Sequence, residues 1–181
     1  GTLVDPETGV VGSEYFEHGI NTIKPGWIEQ DPDEDYWNDF KRIVESLLDQ
    51  TSVRPSEIGG IGLSSLTPDV LPVDEDGEPI RPCIIYMDRR AQEECKWVDE
   101  NTGREKVINT TGNAIDPYYS GYEIMWYKKH EPENYEKTWK ILNADKYLIL
   151  KLTGNAVVDH PTGSIFAPLY DYGEKYWSEE M

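Results

Sequence analysis

The sequence is poor in basic residues and in long apolar runs, and each shortage excludes a class of function. Only 17 Lys and Arg residues stand against 35 Asp and Glu residues, which gives a formal net charge of −18. Phosphate backbones and anionic membrane surfaces repel such a chain, so neither nucleic acid nor a membrane is expected as a partner. No apolar stretch approaches the roughly 20 residues that a membrane-crossing helix needs.

Thiols and imidazoles are also scarce. The two cysteines, Cys83 and Cys95, form no CxxC pair, and the three histidines are scattered, so neither a metal site nor a disulfide framework is expected. The first residues contain no signal-peptide pattern, and we predict a cytoplasmic protein. The phosphate-binding GxxxxGK[ST] and GxGxxG loops and the GxSxG turn of hydrolases are missing too.

The strongest local signal that is present is an amphipathic helix between Asp31 and Gln50. Asp31 suits the N-cap, Pro32 suits the first helical position, and three acidic residues follow in the first turn. Six apolar side chains then recur at helical spacing. They are Tyr36, Phe40, Ile43, Val44, Leu47 and Leu48.

The remaining pattern predicts one α/β domain, with strands first and then alternating strands and helices. A hairpin is expected around the turn 5–9, and further strands over 58–63, 70–73, 82–86, 140–142 and 157–158. Helices are expected over 88–100, with Asp88 as N-cap, and over 106–110, 120–129, 132–137 and 144–152.

Three segments place polar and aromatic residues directly after strands, where α/β folds commonly bind ligands. These segments are 64–69, 86–90 and 116–120. Aromatic faces can cover the C–H faces of a sugar, while carboxylates and arginines hold its hydroxyl groups. The segments therefore indicate carbohydrate binding, although no two carboxylates stand out as the matched pair of a glycosidase.

Each candidate side chain also has a simpler structural interpretation. Asp88 suits a helix N-cap, Tyr118 suits core packing, and the pair Arg89 and Arg90 suits a solvated first helical turn. The segments taken singly leave these alternatives open.

Taken in order, the segments resemble the N-terminal domain of FGGY carbohydrate kinases, and the resemblance extends over essentially the whole chain. The matching stretches are 26–32 with Trp37, 58–65, 76–82, 84–91, Thr111-Gly112, 116–119, Trp126, 145–148 and 152–154. The stretch 58–65 is similar to the family pattern I-x-x-I-G-x-S, and 84–91 is similar to I-x-W-x-D-x-R.

The resemblance implies a ribonuclease-H-like fold of the actin–hexokinase type, with a mixed sheet and flanking helices. It implies that residues 1–181 are the N-terminal sugar-binding domain, incomplete at its N-terminus because the family's Asp-x-Gly-Thr phosphate loop is not in the chain. In the family, ATP and sugar lie between this domain and a second one. The catalytic Asp base is expected beyond Met181, so no catalytic residue and no metal ligand is expected here.

The resemblance also implies a substrate-binding set. It comprises Thr67, Pro68 and Asp69 of a specificity loop, together with Tyr86, Asp88, Arg89 and Tyr118. Glycerol kinases carry Arg-Glu and xylulokinases Met-His where this chain has Thr67-Pro68, which places it apart from both.

The implied function is transfer of the ATP γ-phosphate to a pentulose-like sugar or polyol, with xylulose as the leading substrate. ATP and Mg²⁺ are expected to serve the full-length protein and to bind these 181 residues poorly. The expected partners are the sugar, the second domain and, through exposed apolar surface, further copies of the chain. Two alternatives are a non-catalytic sugar sensor of the same fold and an unrelated carbohydrate-binding or hydrolase domain.

Overall fold

The computed structural model describes all residues, Gly1–Met181. The strands are β1 Thr2–Asp5, β2 Gly9–Ser13, β3 Asn21–Lys24, β4 Trp27–Gln30, β5 Asp69–Val73, β6 Cys83–Ile85, β7 Lys140–Leu142, β8 Tyr170–Asp171 and β9 Tyr176–Trp177. The helices are α1 Asp39–Thr51, α2 Gln92–Asn101, α3 Arg104–Thr111, α4 Ser120–His130, α5 Pro132–Lys137, α6 Ala144–Thr153 and α7 His160–Ser164. A π-helical turn, Pro32–Asn38, leads into α1, and a short 3-10 turn spans Pro55–Glu57.

The core is a five-stranded sheet in the order β3-β4-β6-β5-β7, and its described pairs are all antiparallel. Every residue of β5 and β6 is buried, because helices cover both faces of these strands. Leu71 and Ile85 face a cluster with Tyr147 of α6, whereas Val70 and Ile84 face the opposite cluster, built on α2–α4. This two-faced burial follows from the period-2 alternation of a strand, and it confirms the α/β class.

The predicted helix after Asp31 is confirmed together with its cap. The Asp31 carboxylate accepts hydrogen bonds from the amides of Asp33 and Glu34 at 3.0 and 3.1 Å, so it satisfies two donors that the helix itself leaves free. The helix ends at Ser52, whose φ of 57° lies in the left-handed region. None of the helices combines the length and the apolar character that crossing a membrane requires.

Three local predictions are wrong. The run 58–63 is not a buried strand, since no backbone amide from 59 to 66 donates to another main-chain group and all of its glycines are exposed. Residues 157–158 form no strand either. Helix α2 begins at Gln92 with Ala91 as its N-cap, so Asp88 lies before the helix and does not cap it.

Candidate functional site

The turn after β6 directs Asp88 into the protein. Asp88 has no exposed surface. Its Oδ1 and Oδ2 accept from Nε and Nη2 of Arg90 at 3.0 and 2.8 Å, and Oδ2 also accepts from the amide of Ile28 at 2.6 Å. A bidentate, charge-assisted pair of this kind is among the stronger polar contacts in proteins. The carboxylate is therefore engaged internally, which suits a side chain that positions the turn, and the direct contact of Asp88 with a sugar stays a prediction.

Arg89, the next residue, points outward instead. Its Nη1 donates to Oδ1 of Asp116 at 2.5 Å, and both side chains are about half exposed. Its guanidinium carbon lies 5.9 Å from the ring centroid of Tyr118, and the amide of Tyr118 donates to the same Asp116 oxygen at 3.1 Å. Tyr118 in turn packs against Tyr119 in a tilted arrangement, with 4.2 Å between the ring centroids. Two of the three predicted segments thus meet in one surface cluster of aromatic and ionic groups.

Tyr86 lies on a second feature, a groove of about 1260 Å³. The groove runs from the apolar side of α1 to the start of α6. Toward the start of α6 its lining includes Leu66, Asp69, Tyr86, Met87, Asp145 and Lys146. Tyr86 is half-buried there, so part of its side chain stays available to a ligand.

The predicted specificity loop divides between this groove and the protein interior. Leu66 and Asp69 line the groove, whereas Thr67 and Pro68 are not among its lining residues. Asp69 begins β5, and its Oδ2 accepts from the amide of Ala144 at the start of α6 at 3.2 Å. Burial raises the pKa of the Asp69 carboxyl to about 7, against the opposing effect of the Ala144 amide.

The structure therefore sorts the seven predicted residues into three places. Asp69 and Tyr86 share the groove, Arg89 and Tyr118 share the outer cluster, and the other three residues, which are half-buried or buried, belong to neither. The outlying members are Thr67, Pro68 and Asp88.

Two features of this region do not follow from the sequence. Asp116 belongs to the predicted segment 116–120, but its ion pair with Arg89 joins residues 27 positions apart and follows from no local pattern. Glu123 was missed altogether: it is fully buried on α4, and its carboxyl oxygens have no hydrogen-bond partner in the protein. Burial and then the nearby Asp88 carboxylate raise the pKa of Glu123 well above its usual value.

The raised pKa of Asp69 predicts a specific pH dependence of stability. Since the folded value of about 7 lies above the model-peptide value of 3.8, the folded state binds the extra proton between these limits. Stability is therefore expected to fall as pH rises from about 4 to 7, on the order of 1 kcal/mol per pH unit. In Asp69→Asn the decline should be shallower, because the amide oxygen still accepts from Ala144 and does not titrate. Urea unfolding at several pH values measures both slopes, and parallel curves would contradict the assignment.

A nucleotide–magnesium complex does not fit these residues. No group of three or more His, Cys, Asp or Glu side chains converges in a way that could hold a metal ion. The groove end presents Asp69, Asp145 and a single lysine, Lys146, which is itself paired with two carboxylates, Asp145 at 2.8 Å and Asp159 at 2.7 Å. No step of a reaction is therefore derived through a metal or a nucleotide held by these side chains.

Comparison with known proteins decides the family. The family model for the N-terminal domain of the FGGY family of carbohydrate kinases matches residues 2–181. The chain belongs to this family. The predicted resemblance and the predicted ribonuclease-H-like, actin–hexokinase-type fold are thereby confirmed for this FGGY domain.

Individual relatives of the FGGY domain are similar over nearly its whole length. A glycerol kinase from Thermococcus gammatolerans is 28% identical over 99% of this chain and 36% of its own, and a xylulose kinase from Staphylococcus xylosus is 29% identical over 99% and 37%. The crystal structure of Plasmodium falciparum glycerol kinase with ADP superposes with a TM-score of 0.88 at 27% identity, covering 99% of this chain and 37% of that one. The chain thus spans little more than a third of the length of these relatives.

Proposed function

We propose that residues 1–181 are the sugar-binding N-terminal domain of an ATP-dependent carbohydrate kinase whose second domain completes the active site. The observation that carries this proposal is the convergence of Arg89, Asp116 and Tyr118 on one surface of a domain that matches the family model throughout. An exposed guanidinium–carboxylate pair beside an aromatic face offers donors and acceptors for hydroxyl groups and cover for C–H groups.

The proposed reaction moves the γ-phosphoryl group of ATP to a sugar hydroxyl. The bond between the β,γ-bridging oxygen and the γ-phosphorus breaks, a bond from the hydroxyl oxygen to that phosphorus forms, and the hydroxyl proton goes to an Asp base outside these residues. Magnesium neutralises phosphate charge when it is bound. The part of this chain is to orient the sugar, and orientation can lower such a barrier by roughly 7–11 kcal/mol. Because the donor is ATP, we place the reaction in the cytoplasm.

The proposed substrate is a pentulose-like sugar or polyol, with xylulose first. Support comes from relatives named xylulose kinase and glycerol kinase at nearly equal identity, 29% and 28%. The loop Thr67-Pro68 presents neither the Arg-Glu pair of glycerol kinases nor the Met-His pair of xylulokinases, so other pentuloses and polyols are candidates beside xylulose.

Phosphoryl transfer by the full-length protein tests the function. Purified protein, ATP and Mg²⁺ are incubated with a panel of pentuloses, polyols and glycerol, and ADP formation is coupled to an optical readout. We expect one pentulose or polyol to be turned over well above the others. Sugar binding without turnover of any panel member would instead support a non-catalytic sensor and overturn the kinase proposal.

Removal of the two tyrosine rings tests the site. Tyr86→Ala and Tyr118→Ala are each expected to weaken binding of the preferred sugar by about tenfold, since each loses roughly 1.4 kcal/mol of ring contact and hydrogen bonding. Titration calorimetry on the full-length protein measures the effect. Tyr15→Ala is the matched control, because Tyr15 is 75% exposed and belongs to neither the groove nor the cluster. Undiminished binding in the double variant would contradict the site.

A further inference from the structure

The turn between β3 and β4 is fastened to the turn that carries the proposed sugar contacts. The carbonyl oxygen of Gly26 accepts from the amide of Arg89 at 2.8 Å, and the amide of Ile28 donates to Asp88 at 2.6 Å. These two hydrogen bonds join backbone positions that are about 60 residues apart in the chain. They fix the backbone of Arg89 from one side and the carboxylate of Asp88 from the other.

The same hairpin also encloses the side chain of Arg90. Its guanidinium carbon lies 4.3 Å from the ring centroid of Trp27 on β4 and 4.8 Å from that of Trp126 on α4. The two indoles meet edge to face, with 5.0 Å between centroids and an angle of 83°. Glu29, also on β4, accepts from Nη2 of Arg90 at 2.8 Å. The Arg90 side chain is 0% exposed, and it is held by the two neighbouring indole rings and by the carboxylates of Asp88 and Glu29.

The hairpin is anchored to the domain through β4, which also pairs with β6 at Glu29–Ile84 and Gln30–Cys83. All four residues of β3 are exposed, whereas the β4 segment from Trp27 to Gln30 is half-buried or buried. The turn and the inner strand are therefore the parts of the hairpin that contact the rest of the domain. Here they touch Asp88, Arg89 and Arg90.

We infer that the β3–β4 hairpin sets the position of the Tyr86–Arg90 turn for sugar binding, with Gly26 and Arg90 as positioning residues. The inference rests on the proposed sugar-kinase function and adds a structural feature that determines the affinity for the sugar. Neither residue contacts the sugar. Gly26 acts through the Arg89 amide, and Arg90 acts through Asp88, so Arg89 meets Asp116 and Tyr118 at a defined place.

A methyl group at Gly26 tests this link without removing any contact. Gly26 has a φ of +79°, which side chains other than glycine's adopt at a cost, and an added Cβ would lie 3.7 Å from Cβ of Arg89. In full-length Gly26→Ala we expect the KM for the sugar to rise about tenfold, with the kcat and the KM for ATP within about twofold of wild type. Arg90→Lys, which keeps the charge but loses the planar guanidinium group, should also raise the KM for the sugar.

Gly9→Ala is the matched control. Gly9 also sits in a hairpin turn, has a φ of +89°, and has no other atom within 4 Å of an added Cβ. The Gly9→Ala substitution introduces the same kind of backbone strain away from the site, and the sugar KM of this variant should stay within about twofold of wild type. Equal KM values in Gly26→Ala and Gly9→Ala would overturn the inference.

Calorimetric titration of the sugar into the same variants separates this inference from the proposed function. If the wild-type protein binds sugar but phosphorylates none, the kinase proposal fails, and the ratio of dissociation constants between Gly26→Ala and Gly9→Ala still decides the role of the hairpin. A ratio of about ten supports that role, and a ratio near one overturns it. If the wild-type protein binds no sugar of the panel, both are overturned.

Discussion

Arg90→Met is expected to destabilise the domain by about 3–5 kcal/mol, because it leaves the buried carboxylate of Asp88 without its cation. Asp88 is fully buried, and Arg90 supplies hydrogen bonds to both of its oxygens. Glu29 loses one of its two arginine partners as well, although Arg81 stays paired to it. The methionine can still pack against the indoles of Trp27 and Trp126, so the loss measures charge and hydrogen bonding more than volume.

Urea unfolding followed by tryptophan fluorescence measures this effect, with two controls. Arg54→Met removes an exposed arginine whose salt bridge to Glu57 is solvated, and it should leave the free energy of unfolding close to that of the wild type. Asp88→Leu combined with Arg90→Met removes both charges and should recover a large part of the loss. If the single Arg90 variant cost no more than Arg54→Met, the buried pair would not anchor the turn.

Elements whose signals are local were predictable from the sequence. The helix after Asp31 has its cap, its proline and its apolar spacing within 20 residues, and the structure reproduces all three. The hairpin of β1 and β2, the helix α5 and the strand β7 likewise lie where the pattern places them. In these cases each residue's preference is set by neighbours a few positions away, so a single sequence contains the information.

The run 58–63 shows where local pattern fails. Its apolar and glycine residues suit a buried strand, but a strand also needs a neighbour to share its amides and carbonyls, and no residue of the described chain pairs with it. The spacing of apolar residues shows that one face of a segment suits burial, but it does not show whether a second strand lies beside the segment to pair with it. The same limit explains Asp88, whose carboxylate suits a cap but instead binds a guanidinium held by β4 and α4.

The candidate site was predictable in its residue types and only partly in its geometry. Arg89 and Tyr118 do meet on one surface, yet the sequence could not show that Asp116 joins them or that Asp88 turns inward. Glu123 illustrates the reason: a glutamate in an acidic chain reads as solvated surface, and its burial depends on how α4 packs across the sheet. Distant packing decides which side chains of a motif face a ligand.

Gly121→Ala is expected to destabilise the domain by about 3 kcal/mol or more, although alanine is intrinsically the better helix former. Gly121 lies in the first turn of α4, and an added Cβ would overlap the carbonyl oxygen of Ala167 and stand 2.7 Å from that of Phe166. The helix-propensity gain is only about 1 kcal/mol. Overpacking against side chains costs roughly 1–3 kcal/mol, and main-chain carbonyls cannot swing aside as a flexible side chain can, so the clash should prevail.

The clash is also expected to weaken sugar binding, which gives a second measurement. Separation of α4 from 165–167 strains the bond from the Ser120 amide to the Ile165 carbonyl, 3.3 Å long, and Ser120 follows Tyr118 by two positions. Calorimetry on the full-length Gly121→Ala protein, under conditions where it remains folded, should show weaker sugar binding. Gly19→Ala, at a glycine with no other atom within 4 Å of an added Cβ, should change stability by no more than about 0.5 kcal/mol. Equal unfolding midpoints for the two variants would show that the segment 165–167 can retreat without cost, and that the close approach at Gly121 does not fix Tyr118.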